Sequence, residues 1–324
     1  MLPISRIFLF FKGVAMGAAD VVPGVSGGTI AFITGIYEEL LETLANLDLG
    51  LLKTWRENGF KAFWKAINGN FLLTLFAGIF TSLLSLAVLV EYLMHNYPII
   101  LWSFFFGLIV ASVWLIGKQV KWNVYSLLAV GVGTLIAYYI TTITPVSGVD
   151  FWWYIILSGS VAITAMILPG ISGSFILLLM GMYASVLGAL SGVLKSLAAG
   201  QWTELMGHSK IVLLFIIGCL AGLILFSKGL NWLFKNHKNI TIAVLTGFLI
   251  GSLNKIYPWK EVLKSYTKHA GEPNEEIVPL VTRNISPAEF TELTKEPNQL
   301  GMAVVLALTG VALIVILDKL GTKK

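Results

Sequence analysis

Apolar residues run along this chain in long blocks, roughly at 4–22, 28–45, 71–93, 98–117, 122–143, 152–169, 174–192, 210–230, 239–257 and 300–318. A block of about 20 apolar residues has the length of a helical membrane span. The alternating ten-residue segments of an outer-membrane barrel do not occur. The pattern therefore predicts an all-α, polytopic membrane protein. Between the blocks, the longest polar stretch is 258–299, with Glu272, Pro273, Asn274, Glu275, Glu276 and Pro279 near its centre. It is too rich in proline and charge to enter lipid and reads as an extracytoplasmic loop. Within 46–70, the stretch Lys53 to Lys65 interleaves Trp and Phe with cations, as an amphipathic segment at headgroup level does.

Composition excludes the obvious alternative. Of 324 residues, 56% are hydrophobic and 12% charged, about half the charge content of a soluble domain. A soluble enzyme of this make-up would expose far too much apolar surface. The net charge of +5 comes mainly from Lys and Arg between apolar blocks, so it reports orientation in a bilayer and not nucleic-acid binding. The single Cys219 can form no internal disulfide, and His95, His208, His237 and His269 are scattered, which points to neither a metal site nor a cofactor. Residues Met1 to Ala19 run directly into a specific motif, so no removable signal peptide is expected.

That motif occurs twice. Residues 21–37 read VVPGVSGGTIAFITGIY and residues 167–183 read ILPGISGSFILLLMGMY. At one constant spacing Pro23 matches Pro169, Gly24 Gly170, Ser26 Ser172, Gly27 Gly173, Gly35 Gly181 and Tyr37 Tyr183. Further on, Phe106 to Ser112 resembles Thr246 to Ser252. The chain divides into halves at 1–148 and 149–324, each with two blocks joined by a Pro-Gly-x-Ser-Gly break and three more blocks. Suppose each broken pair returns to its starting side. Then Arg6, Lys12, Lys53, Arg56, Lys61, Lys65, Lys118, Lys121, Lys228, Lys235, Lys238, Lys319, Lys323 and Lys324 share one side, and only Lys195 and Lys210 lie in short loops of the other. The remaining cations, Lys255, Lys260, Lys264, Lys268, Arg283 and Lys295, belong to or border the long loop. This asymmetry puts both termini in the cytoplasm. Each half then crosses an odd number of times, so the second is inverted relative to the first, as in secondary transporters with a midplane site.

Helix breaks at membrane depth persist only where the backbone is buried in protein or lines a cavity. Pro23 and Pro169 end the incoming helices, and Gly24 and Gly170 permit a reversal. Ser26, Gly27, Gly28 and Thr29 open the next helix in one half, and Ser172, Gly173 and Ser174 do so in the other. Hydroxyls, open N–H groups and the positive helix end make an anion site without formal charge, suited to a phosphate. The same residues also serve as caps and packing points. Asp20, with Met166 at the matching place, is an intramembrane carboxylate, equally a candidate for proton coupling and for a cap at the break; Glu38 is a second coupling candidate, with Glu38 and Glu39 placed either at the same cavity or at the interface. Lys12 reads as a cation that meets an anionic headgroup or, by preference, snorkels. Gly13/Gly17, Gly218/Gly222 and Gly247/Gly251 have the spacing of close helix contacts.

Gly17-Ala-Ala-Asp-Val-Val-Pro-Gly-Val-Ser-Gly-Gly-Thr29, with Leu168-Pro-Gly-Ile-Ser-Gly173, resembles the polyprenyl-phosphate transporter family of prokaryotic membrane proteins over nearly the whole chain. The resemblance implies translocation of undecaprenyl phosphate from the outer to the cytoplasmic leaflet of the cell membrane, for reuse in peptidoglycan and related pathways. It implies that Asp20, Ser26, Gly27, Gly28, Thr29, Ser172, Gly173 and Ser174 surround the phosphate. The expected partners are that lipid and the membrane lipids, with no nucleic acid, no cofactor and no catalytic residue. A membrane undecaprenyl-pyrophosphate phosphatase carries a similar Pro-Gly-x-Ser element with an Arg after the Ser, where this chain has Gly27 and Gly173. A small-anion carrier is a third reading.

Overall fold

A computed structural model describes residues 3–21, 26–48, 50–143, 151–268 and 276–321. In chain order the first half holds α1 (Pro3–Val21), α2 (Gly27–Ile33), α3 (Tyr37–Ala45), α4 (Gly50–Ala66), α5 (Gly69–Asn96), α6 (Pro98–Gly117) and α7 (Val124–Thr142). The second holds α8 (Trp152–Ile167), α9 (Gly173–Leu179), α10 (Tyr183–Ala199), α11 (Trp202–Ile256), β1 (Lys260–Lys268), β2 (Glu276–Asn284), α12 (Pro287–Thr294) and α13 (Leu300–Gly321). Among the described residues α6, α7 and α11 are long and apolar enough to cross a bilayer. The side of α7 bearing Tyr125, Leu127, Leu128, Leu135 and Tyr139 is exposed, as a lipid-facing helix surface is.

Three boundaries differ from the reading of the apolar blocks. The blocks 28–45 and 174–192 are each two helices, not one. Gly35 (φ 73°) and Gly181 (φ 68°) adopt left-handed backbone, which glycine alone takes at little cost. Each closes a Schellman motif: Ile36 N–H bonds the Ala31 carbonyl and Gly35 N–H that of Phe32, while Met182 N–H bonds Leu177 and Gly181 N–H bonds Leu178. The repeated glycine is therefore a helix stop. Second, the blocks 210–230 and 239–257 lie on one 55-residue helix, α11, bent where His237 leaves helical geometry (φ −135°, ψ 41°). A straight helix of that length would extend about 80 Å, more than twice the hydrocarbon thickness of about 30 Å. The polar run Lys235-Asn236-His237-Lys238 falls at the bend. Third, the 258–299 segment is structured: β1 and β2 pair antiparallel and α12 follows, capped by Ser286 accepting from Glu289 N–H. Trp259 Nε1 donates to the Asn298 carbonyl, and Ile99, Trp259, Ile285 and Ala303 bury together, which anchors this segment to the ends of α6 and α13.

Close glycine contacts set the helix directions. A Cβ on Gly13 of α1 would strike the Leu75 carbonyl of α5, and one on Gly17 that of Ile79. In the second half Gly159 of α8 meets Phe215, and Gly222 of α11 meets Ser160. In both pairs the helices advance in the same direction, so the intervening chain returns to the level where it began. The second arm of α11 runs parallel to α7. Asn239 accepts from the Lys121 amide (2.7 Å) and donates to its carbonyl (3.0 Å), and Asn254 donates to Thr141 Oγ1 (2.7 Å) at the far end. Between them Gly247 lies against Val130 and Gly133 against Val244. The α6–α13 pair repeats this seam: Gly107 lies against Ala307 and Gly310 against Phe104.

Gly247→Val would drive a side chain into the Val130 carbonyl, and Gly107→Val into that of Ala307. Each should cost about 1–3 kcal/mol of stability, read as a lower thermal midpoint of the purified protein in detergent. Gly131→Val, on the same α7 helix with nothing within 4 Å, should stay within about 0.5 kcal/mol of the parent. Equal midpoints for all three would contradict these seams.

Candidate functional site

The second break follows from Pro169. Leu168, just before it, is extended (φ −68°, ψ 131°), as a residue preceding proline prefers to be. Gly170 is left-handed (φ 82°), and a Cβ there would press on the Phe248 carbonyl of α11. Ending α8 in this way strips its last carbonyls of helical donors, and inside an apolar bundle those carbonyls must find others. The first half supplies them. Ser26 Oγ donates to the Met166 carbonyl at 2.9 Å, and Tyr37 OH donates to that of Ile167 at 3.0 Å. Thr29 Oγ1 accepts from Gly170 N–H at 2.8 Å. Ser26, Thr29 and Tyr37 are each no more than 1% exposed. Gly28 has no side chain because its α-carbon faces the Ile167 carbonyl. The Tyr37 ring also lies edge-on to Phe32 and to Phe234 of α11.

The start of α2 is closed by its own chain. Gly27 N–H donates to Asp20 Oδ1 (2.7 Å), Gly28 N–H to Ser26 Oγ (3.1 Å) and Thr29 N–H to the Ser26 carbonyl (2.9 Å). Asp20 thus holds the place that an anion would take at a helix N-terminus. At the other end of α2, Lys12 Nζ donates to the Thr34 carbonyl (2.7 Å). Lys12 is therefore a cap and not a snorkelling cation. Two residues of α1 bracket α2 with charges opposed to its dipole.

The start of α9 differs. Ser172 caps it loosely, accepting from Phe175 N–H at 3.5 Å and sharing a hydrogen bond with Ser174 Oγ at 2.9 Å. No described side chain accepts from the Gly173 or Ser174 amides. Met166 occupies the place equivalent to Asp20, and a Cβ on Gly173 would meet Met166 Cβ and the Ala162 carbonyl. Ser172 and Gly173 are buried, whereas Ser174 is exposed.

The structure thus brings Asp20, Ser26, Gly27, Gly28 and Thr29 together, and joins them to the second break through Gly170. Pro23 and Gly24 lie outside the described residues. Glu38 stands apart: it is exposed on α3 and paired with Lys238 at 2.7 Å, beside Glu42 paired with Lys235 at 3.3 Å. These ion pairs tie α3 to the bend of α11 and, being solvated, contribute about 0–1 kcal/mol each. No group of acidic, histidine or cysteine side chains suited to a metal occurs among the described residues. Two residues beside the site escape a reading of motifs. Lys255, at the end of α11, places its ammonium 4.2 Å from the ring centroid of Phe175, and Lys260 lies 3.9 Å from that of Trp102. Their signal in the sequence is only that Lys255 closes an apolar run.

Residues 16–274 match the profile of a family described as VCA0040-like, undecaprenyl phosphate translocase-like. The chain is 48% identical over 321 residues to the polyprenyl-phosphate transporter of Vibrio cholerae serotype O1, covering 99% of this chain and 98% of that protein. It is 33% identical over 262 residues to the polyprenyl-phosphate transporter of Staphylococcus aureus, covering 76% of this chain and 84% of that one. No solved structure matches it.

Thr29→Val should leave the buried Gly170 N–H without an acceptor. The expected cost is about 1–3 kcal/mol, with faster amide exchange in the peptide spanning Gly170 to Phe175. Exchange at the parent rate there would mean that the two breaks do not touch in solution.

Proposed function

The chain belongs to the undecaprenyl phosphate translocase-like family, and on that footing we propose that it carries undecaprenyl phosphate across the cytoplasmic membrane, returning the lipid from the outer to the cytoplasmic leaflet. The family and both relatives are named for transport of a polyprenyl phosphate and not for a hydrolase reaction. The C55 tail can stay in hydrocarbon, so only the phosphate has to cross the low-dielectric core, where a bare charge costs many kcal/mol.

The observation that carries this reading is the meeting of two helix breaks whose polar groups differ in occupancy. In our reading the halves 1–148 and 149–324 are inverted repeats, both termini are cytoplasmic, and α2 and α9 are re-entrant arms. The parallel packing of α1 with α5 and of α8 with α11 supports this. The phosphate docks at Ser172, Gly173 and Ser174, where the Gly173 and Ser174 amides have no acceptor among the described residues. It then passes to Ser26, Gly27, Gly28 and Thr29, where it displaces the Asp20 carboxylate from Gly27 N–H. Asp20 acts as an internal stand-in for the substrate. Protonation weakens its hold on the amide, which couples a proton to each crossing. Glu38, exposed and paired with Lys238, serves the mouth of the pathway on the cytoplasmic side.

Ser172→Leu fills the α9 end with a side chain, and in cells that depend on this carrier it should raise undecaprenyl phosphate in the outer leaflet, read by an impermeant reagent that binds the lipid phosphate. Display at the parent level would reject the site. Asp20→Asn, fixed in an uncharged form, should make transport into proteoliposomes indifferent to an imposed pH gradient, and a full gradient response would remove Asp20 from the mechanism.

A further inference from the structure

Two lysines converge near the second break, and neither is paired with a carboxylate among the described residues. Lys255 ends the second arm of α11, and Lys260 begins β1. Lys260 Nζ donates to the Lys255 carbonyl, which draws the two residues together. Both side chains are half-buried. Each ammonium rests on an aromatic face, Phe175 for Lys255 and Trp102 for Lys260. Neither makes an ion pair among the described residues. In the adjoining segment Glu261 and Glu289 are both held by Arg283.

Two neighbouring cations withdrawn from water repel each other and lose hydration, and aromatic faces offset only part of that cost. Burial and the charge of Lys255 together push the Lys260 ammonium well below its usual range. An arrangement of this kind becomes favourable when an anion sits between the cations. Phe175 is also the residue whose amide Ser172 caps, so the ring that Lys255 touches is carried on the first turn of α9.

We propose that Lys255 and Lys260 form a docking point for a phosphate monoester on the side of the β1–β2 hairpin, from which the anion is passed down to Ser174 and Gly173. This rests on the transport reading above and adds to it the charged pair that first captures the head group. The ring contacts, with the Lys260 hydrogen bond to the Lys255 carbonyl, already hold both ammonium groups in place, so little side-chain ordering is needed when the phosphate arrives. A monoester carries up to two negative charges, which a pair of ammonium groups matches. Each lysine also remains a point charge that can release its ligand, whereas a bidentate arginine clamp would hold it more firmly.

The test uses the full chain in nanodiscs and measures equilibrium binding of C55 polyprenyl monophosphate, the uncharged C55 polyprenol and inorganic phosphate. The variants are Lys255→Gln/Lys260→Gln and the charge-retaining Lys255→Arg/Lys260→Arg. The double Gln variant should bind the polyprenyl monophosphate at least about tenfold more weakly, with unchanged polyprenol binding and thermal midpoint, and the double Arg variant should restore most of the affinity. If the parent binds the lipid phosphate and the double Gln variant binds it equally well, the docking point is refuted and the transport reading stands. If the parent ignores the lipid but binds inorganic phosphate in a lysine-dependent way, the anion site is upheld and the lipid reading falls. Binding of neither phosphate by the parent overturns both.

Discussion

A helix that ends inside an apolar bundle leaves carbonyls and amides that water cannot reach, and each must be matched by another part of the chain. At Pro169 the carbonyls of Met166 and Ile167 are matched by Ser26 and Tyr37 from the other half of the molecule, and the Gly170 amide by Thr29. The rest of the architecture follows from this requirement. The two breaks have to lie against each other, Gly28 has to lack a side chain, and Tyr37 has to sit at the start of α3 with its ring packed on Phe32 and Phe234. A polar contact between halves is thereby built where a purely apolar one would have left buried groups unpaired.

The same contact makes the two breaks unequal. At α2, Asp20 and Lys12 neutralise both ends of the short helix from a single neighbouring one. At α9, Met166 replaces the carboxylate, the cap is long, and Ser174 faces outward. A duplicated motif has diverged into one closed end and one open end. On the transport reading proposed above, this difference lets an anion meet the α9 amides first and the seat held by Asp20 second.

Support around this centre comes from two seams used twice. Gly107 against Ala307 and Gly247 against Val130 are equivalent contacts, each joining one half to the other, as are Gly310 against Phe104 and Gly133 against Val244. Small residues at these points let helix backbones approach closely, which matters where lipid supplies little hydrophobic drive for association. The α1–α5 and α8–α11 pairs likewise repeat one another, and their parallel course forces the broken segments between them to double back.

Much of this was legible in the order of residues, because proline, glycine and serine act locally. Pro169 constrains the residue before it, Gly35 and Gly181 supply left-handed backbone, and Ser26 and Ser172 cap the helices they precede, whatever surrounds them. Composition fixed the solvent in the same direct way, since so few charges cannot cover a soluble surface. Long-range geometry was not legible. A cap by Asp20 at the break is one of two equal readings of the sequence, whereas that Lys12 caps α2 and that Glu38 belongs to a surface pair depend on how helices cross. The 258–299 segment read as an open loop because its hairpin owes its place to Trp259 and Ile285 packing on distant helix ends. Lys255 and Phe175 are 80 positions apart along the chain, and no local pattern announces that the second arm of α11 will set one above the other. Backbone preferences are properties of neighbours in sequence, whereas the pairing of charges is a property of neighbours in space.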